Sequence, residues 1–280
     1  MKPKFIDSHA HVQFADYDAD REEVIKKALA AGVWMINSGS DLSNSAGAVE
    51  LAEKYEEGVY ATVGIHPSES AKLHGREDWQ RSLRMLAENP KCVAVGECGL
   101  EYFSDTDNKG EQKELFIKQM EISDEVKKPL VIHCRDAYDD LYGILKENEN
   151  LLLANRPALM HFFSGMERDA ERFLDMGFVF SFGGATTFSS RRAGGEAGSS
   201  KPNKTNFGPL IKKLPLSAIL LETDCPYVTP EPYRGKRNEP SFVTYVAMKM
   251  AEIKGVSVEK LAEATTENAL KFFAIDGASR

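Results

Sequence analysis

Eight short apolar segments alternate with longer amphipathic segments along the chain, and this alternation restricts the fold more than any other feature. The apolar segments that predict β-strands are residues 5–6, 33–36, 59–65, 92–95, 130–132, 158–160, 178–182 and 218–221. The segments between them place apolar residues three and four apart, which is typical of helices. About eight βα units in one chain predict a (β/α)8 TIM barrel.

We predict a single domain over residues 1–280, since α/β barrels commonly reach about 250 residues as one unit. The uninterrupted apolar character of the strands indicates a parallel sheet that is buried on both faces. A doubly wound open sheet is the alternative. No G-x-G-x-x-G motif follows the first strand, which weakens the dinucleotide-binding form of that alternative.

One segment departs from the alternation. Residues 189–205 are rich in Gly, Ser and basic residues and follow the seventh predicted strand. This composition predicts a mobile loop insertion. A solvated insertion is favoured, and the functional alternative is a lid or a substrate contact at the active face.

The chain carries 35 Lys and Arg against 43 Asp and Glu, so its formal net charge is −8. A protein that grips long nucleic acid by charge alone is usually basic, so any contact with nucleic acid should be local. The four cysteines form no C-x-x-C pair, which fits a reducing compartment. With no secretory-signal pattern and no long apolar stretch, we expect a cytoplasmic protein without membrane contact. The sequence indicates no obligate protein partner.

Ionisable side chains follow the apolar segments at the points where the predicted strands end. In a parallel barrel these ends meet at one face, where active sites lie. Five of the six histidines occupy such positions, the exception being His74. His9 and His11 are two apart on a strand, so both point to the same side and can chelate a divalent ion. The candidate metal ligands are His9, His11, Glu97, His133, His161 and Asp224.

Four imidazoles and two carboxylates suffice for two ions that share a bridging carboxylate, an arrangement suited to hydrolysis. Any one of these residues, taken alone, has a structural role as its alternative. Together they favour the metal interpretation, because buried carboxylates are costly unless they are paired or coordinated. Cys98, Cys134 and Cys225 each follow a candidate ligand and should therefore point away from the site as packing residues.

Six segments in this order resemble the TatD family of metal-dependent deoxyribonucleases, within the amidohydrolase-like barrels. They are FIDSHAHV, VGIHPSE, AVGECGLEYF, PLVIHCRDA, MHFFSG and LLETDCPYVTPEPYRGKRNEP. The resemblance covers nearly the whole chain. It implies a (β/α)8 barrel, a binuclear divalent metal site, usually with Mg²⁺ or Mn²⁺, and phosphodiester hydrolysis on DNA, mainly as a 3′→5′ exonuclease on ends or single strands.

By the same resemblance, His9 and His11 would hold one ion, and Glu97 would bridge it to a second. His133 and His161 would complete the second ion. Asp224 would bind the first ion and orient or deprotonate the attacking water, which makes Asp224 and Glu97 the predicted catalytic residues. Histidine ligands alone favour Zn²⁺, so the sequence leaves the metal open.

His66 and Arg135 match positions that are expected to contact substrate phosphate; for Arg135, an ion pair with a nearby acid is the alternative. Arg234 and Arg237 lie in a basic stretch after the eighth strand, a region that often binds phosphate in this fold. Local ion pairs are again the alternative. Glu101 stands where the family commonly has Asp, and we do not predict it to be a ligand.

Three functions remain open from the sequence. A deoxyribonuclease is favoured. A hydrolase of an ester or amide bond, such as a D-aminoacyl-tRNA deacylase, would keep the same metals and change the bond. A metal-bound interaction module is the non-enzymatic alternative, and the complete ligand set argues against it. A small-molecule amidohydrolase is disfavoured because Glu97 occupies the place where such enzymes often carry a carbamylated lysine.

Overall fold

The fold is known from a computed structural model that describes residues 2–188 and 207–275. Eight parallel strands close into one barrel, in which each strand pairs with the next and the eighth pairs with the first. The strands are β1 (Phe5–Ala10), β2 (Val33–Ser38), β3 (Val59–Val63), β4 (Cys92–Glu101), β5 (Leu130–Arg135), β6 (Ala158–Met160), β7 (Val179–Phe182) and β8 (Ile219–Leu221). The predicted barrel is confirmed, and closure between β1 and β8 rules out an open sheet.

The helices follow the predicted alternation. They are α1 (Arg21–Ala30), α2 (Leu42–Glu53), α3 (Ser70–Leu73), α4 (Asp78–Ala87), α5 (Lys109–Val126), α6 (Tyr138–Glu147), α7 (Glu167–Asp175), α8 (Gly208–Lys213), α9 (Val243–Lys254) and α10 (Val258–Phe273). The short helix α3 was not predicted, because four residues are too few to show a helical period. Strands β1, β4 and β5 run past their apolar segments into the polar residues of the site.

Alternating strand residues divide the apolar core into two clusters. On β2, Met35 belongs to the cluster between the barrel and its helices, whereas Trp34 and Ile36 belong to the second cluster. That second cluster also contains Leu270 and Phe273 of α10. Helix α10 therefore fills the amino-terminal end of the barrel, and the carboxyl ends of the strands are left to carry the site.

Several expectations concern the chain as a whole. The four cysteines are free and buried. They belong to the cluster between the barrel and the helices, in agreement with the packing role expected of Cys98, Cys134 and Cys225. In the part of the chain that the structure describes, no helix is long and apolar enough to cross a membrane. The predicted loop at residues 189–205 lies outside the described residues.

Candidate metal centre

The six predicted ligands converge at the carboxyl ends of the strands. They come from five places around the barrel, on or just after β1, β4, β5, β6 and β8. His9, His11 and Asp224 form one group whose ligand atoms all lie within 4.8 Å of one another. In this group the Nε2 atoms of His9 and His11 are 3.2 Å apart, and Asp224 Oδ1 is 3.4 Å from His11 Nε2.

Glu97 lies between this group and the other two histidines. Its Oε2 is 3.4 Å from His9 Nε2. Its Oε1 is 2.9 Å from His133 Nδ1 and 3.1 Å from His161 Nε2. The two oxygens of one carboxylate thus face two sets of imidazole nitrogens, as a bridging ligand would require. That the six residues bind metal stays a prediction, but their convergence is observed.

The outer nitrogen of each of three imidazoles faces a fixed hydrogen-bond acceptor. His11 Nδ1 is 2.8 Å from the carbonyl oxygen of Ser38. His133 Nε2 is 3.1 Å from Glu101 Oε2, and His161 Nδ1 is 3.4 Å from Glu222 Oε2. A carbonyl or an ionised carboxylate can only accept, so these outer nitrogens carry the hydrogen in a neutral ring. The inner nitrogens then present lone pairs.

Those lone pairs point at carboxylate oxygens, which are also acceptors. His11 faces Asp224, while His133 and His161 both face Glu97 Oε1. Two acceptors at 2.9–3.4 Å repel unless a proton or a cation lies between them. The arrangement matches the carboxylate–histidine–metal triads in which an outer acceptor fixes the tautomer of a ligand. The donor set therefore fits divalent cations.

The pKa shifts of Glu97, His161 and Asp224 arise from the same close contacts between imidazoles and carboxylates. Burial alone would raise the pKa of Glu97, but charge on His161 and hydrogen bonds from the surrounding imidazoles outweigh burial and lower that pKa well below its usual value. Burial opposes the charge on His161 as well, yet Glu97 and Glu222 raise its pKa well above normal. In the metal-free protein, a proton therefore lies between His161 and Glu97, at a place where a bound cation would replace it. Burial likewise opposes ionisation of Asp224, and neighbouring imidazoles still lower its pKa. The carboxylates of Glu97 and Asp224 are therefore ionised although they are largely buried.

Glycines bring β4 and β5 close together beside Glu97. A Cβ atom at Gly96 would lie 2.3 Å from the carbonyl oxygen of Val131, and one at Gly99 would lie 2.0 Å from that of His133. Gly99 also has φ of 133°, a conformation that disfavours other residues. The GECG sequence is therefore needed for Glu97 and His133 to approach each other.

Asp224 is placed by the backbone contact between β1 and the chain after β8. Its N–H donates to the carbonyl oxygen of His9 at 2.9 Å. Its φ of 55° lies in the left-handed region, which Asp tolerates better than most residues. One residue earlier, Thr223 donates from its backbone and its hydroxyl to Asp7, at 2.8 and 2.6 Å. These bonds fix the Asp224 carboxylate against the histidine pair.

His66 and Arg135, two of the predicted phosphate contacts, both line the cleft above the candidate metal ligands. His66 Nδ1 accepts from the backbone N–H of Ser68 at 3.2 Å, so a neutral ring carries its hydrogen on Nε2, 3.7 Å from Glu97 Oε1. Burial lowers the pKa of His66 to about 4. His66 is therefore a neutral donor directed into the cleft. Arg135 is exposed, and its guanidinium lies 3.9 Å from the centre of the Phe103 ring.

Arg234 and Arg237 do not line the cleft. Arg237 makes a two-bond ion pair with Asp20, at 2.6 and 2.9 Å, and packs over Tyr17. Arg234 lies over the Phe188 ring at 4.1 Å. Arg237 thus follows the alternative of an ion pair, with a partner more than 200 residues away in sequence. That Arg234 and Arg237 contact substrate phosphate stays a prediction.

Three supporting residues were missed from the sequence. Glu222 had a signal, because it lies two residues before Asp224 in the segment after β8. Glu101 departs from the family pattern, but nothing in the sequence indicates its contact with His133. Ser38, the last residue of β2, contacts both His9 and His11. Because serine is not ionisable, the sequence offers no reason to place it among the candidate site residues. Only the barrel register shows what it supports.

A closed (β/α)8 barrel that gathers four histidines and two carboxylates at its carboxyl face has the architecture expected of a metal-dependent hydrolase. The chain belongs to the TatD family, since the family model described as TatD related DNase matches residues 6–274. The chain is 39% identical over 271 residues to the uncharacterized metal-dependent hydrolase YabD of Bacillus subtilis, covering 96% of this chain and 99% of YabD. It is 31% identical to the 3′-5′ ssDNA/RNA exonuclease TatD of Pantoea ananatis, covering 94% and 95% of the two chains. The crystal structure of YjjV, a TatD homolog from Escherichia coli K12, superposes with a TM-score of 0.84 at 30% identity, covering 98% of this chain and all of YjjV.

Proposed function

We propose that this metal-dependent hydrolase is a nuclease that removes nucleotides from the 3′ end of single-stranded DNA. The observation that carries the proposal is the set of imidazole nitrogens that face carboxylate oxygens at the base of an open cleft. The cleft has a volume of about 710 Å³, which is within the range of ligand sites. The similarity to a 3′-5′ ssDNA/RNA exonuclease supports the choice of bond and polarity.

Two divalent ions would be held in this centre. His9, His11 and Asp224 would hold one, His133 and His161 the other, and Glu97 would contribute to both. When bound, such ions lower the pKa of water and offset charge on phosphate oxygens. Mg²⁺ or Mn²⁺ fits the carboxylates, and the imidazoles also suit Zn²⁺. Free, buried cysteines fit a reducing compartment such as the cytoplasm.

Asp224, Arg135 and His66 would each have a different role in the reaction. Asp224 is ionised and its carboxylate is 19% exposed, so it can accept the proton of an attacking water. Arg135 presents a planar fork of donors to phosphate oxygens. The Nε2 hydrogen of His66 supplies a further donor without adding charge. These groups orient a phosphodiester between the cleft wall and the centre.

The test uses purified protein and a 5′-labelled single-stranded DNA oligonucleotide. We expect shortening from the 3′ end with Mg²⁺ or Mn²⁺, none with chelator, and restored activity when metal is returned. Asp224→Asn should abolish cleavage because the amide cannot take a proton, whereas Asp107→Asn, an exposed acid before α5, should cleave normally. A parallel assay on D-aminoacyl-tRNA tests the alternative bond. Cleavage that survives both chelation and Asp224→Asn would refute the proposal.

A further inference from the structure

Two exposed aromatic side chains lie in the cleft. Among residues 2–188 and 207–275, the large apolar side chains that are exposed are Met85, Phe103, Met166, Tyr227 and Met248. The two aromatic members, Phe103 at 56% and Tyr227 at 53% exposure, both line the cleft, and the three methionines do not. Exposed aromatic rings are costly to keep in water, so their concentration at one site indicates a ligand with flat faces.

The two rings stand on opposite sides of the centre. Phe103 follows β4 and Tyr227 follows β8. These strands are four places apart in a closed ring of eight, so their carboxyl ends lie across the barrel from each other. The candidate metal ligands lie between them. A phosphodiester placed at the centre would carry one nucleoside toward each ring.

The backbones of Phe103 and Tyr227 are hydrogen-bonded to residues in or beside the candidate metal centre. The backbone N–H of Phe103 donates to Glu101 Oε1 at 2.7 Å, and the other oxygen of Glu101 contacts His133. The backbone N–H of Tyr227 donates to the carbonyl oxygen of Asp224 at 3.0 Å. The backbone of each aromatic residue is therefore fixed relative to a predicted ligand, which favours a defined substrate position over a loose apolar patch.

Phe103 also pairs with a cation. The Arg135 guanidinium lies 3.9 Å from the centre of its ring, while more than half of the Phe103 side chain stays exposed. Arginine stacked on an aromatic ring combines a flat surface with phosphate donors. This pair offers both a stacking face for a base and hydrogen bonds for the adjacent phosphate.

We propose that Phe103 and Tyr227 are stacking platforms for the two nucleobases on either side of the cleaved bond, and that they select single-stranded nucleic acid. The inference rests on the proposed nuclease function and extends it to the substrate's bases. Bases of a single strand are available to stack on aromatic side chains, whatever their sequence. Bases inside a duplex are already stacked and paired, and releasing them costs free energy.

The test compares 5′-labelled single strands that are identical except for an abasic tetrahydrofuran residue on one side of the terminal 3′ phosphodiester or on the other. Wild-type protein should prefer the intact strand by about 5- to 150-fold in kcat/KM at each position. Phe103→Leu should lower this ratio toward one at one position, and Tyr227→Leu at the other. Leucine retains bulk but has no flat π face. Phe103→Trp and Tyr227→Phe should retain the preference.

Met85→Leu, on the exposed face of α4 and outside the cleft, is the matched control, and thermal unfolding checks that each variant is folded. A wild-type enzyme that cleaves intact and abasic strands equally, or Leu variants that retain the full preference, would overturn the platforms and leave the nuclease function standing. A wild-type enzyme that cleaves no nucleic acid would overturn the proposed function and, with it, this inference.

Discussion

Binding of divalent ions should raise the thermal stability of the protein by an amount that can be estimated from the chain length and the ion concentration. An ion present at 100 times its Kd adds about 2.7 kcal/mol to the free energy of unfolding. For a chain of 280 residues, the unfolding entropy is about 0.6 kcal/mol/K. One ion should therefore raise Tm by about 4–5 °C, and two independent ions by about 9 °C.

Glu97→Gln tests whether this stabilisation depends on the proposed centre. Glu97 faces both groups of imidazoles, at 3.4 Å on one side and 2.9–3.1 Å on the other. An amide in its place keeps the shape and loses the charge and one oxygen acceptor. The metal-dependent rise in Tm should then fall to near zero. Glu171→Gln, an exposed acid on α7, should retain the full rise.

The assay is differential scanning calorimetry of chelator-treated protein, titrated with Mg²⁺, Mn²⁺ or Zn²⁺. Comparing each variant with and without metal removes any effect of the substitution on the metal-free protein. A wild-type Tm that does not move at ion concentrations that support activity would contradict the reasoning. So would a Glu97→Gln variant whose Tm rises as much as that of the wild type.

Three further predictions concern the surroundings of the centre. Gly99→Ala should lower the free energy of unfolding by about 2–6 kcal/mol, measured by urea titration, because its Cβ meets the His133 carbonyl and its φ is unfavourable; a loss below 1 kcal/mol would argue against this close approach. Glu101→Gln should weaken metal binding by about 10- to 100-fold in calorimetric titration, and unchanged affinity would show that Glu101 does not orient His133. Burial raises the pKa of Cys92 to about 11, so its buried thiol should resist a thiol reagent at pH 8 and react in denaturant. The Cys92 thiol has a pKa near 9 in the unfolded chain and about 11 in the folded protein. The stability that this difference contributes is fully present below pH 9 and should be lost as the pH rises through 11.

The sequence was informative wherever a period or a strand end determined the outcome. The two-residue spacing of His9 and His11 placed both rings on one side, and the strand-end positions of Glu97 and His133 brought them together as expected. The basic stretch after β8 lies in a loop without helical or strand periodicity, so the sequence does not predict where its side chains point. Its Arg237 turns toward Asp20 at the start of α1, a contact that depends on how the closed barrel brings distant loops together.

Barrel closure also explains why the supporting residues were harder to predict than the ligands. The histidines of β1 are held by Ser38 at the end of β2, the next strand around the ring. His133 on β5 is held by Glu101 at the end of β4. His161, after β6, is held by Glu222, which in turn accepts from Ser181 of β7.

Each imidazole thus receives its outer contact from another strand end, and strand register decides which residue supplies it. The outer acceptors hold His11, His133 and His161 so that their inner nitrogens face carboxylates, and a cation can take the place of the proton between them. A sequence pattern can identify which residues could bind a cation. The reason that a cation should bind here is a property of the assembled ring of strands, because it arises only when each outer acceptor is brought against its histidine.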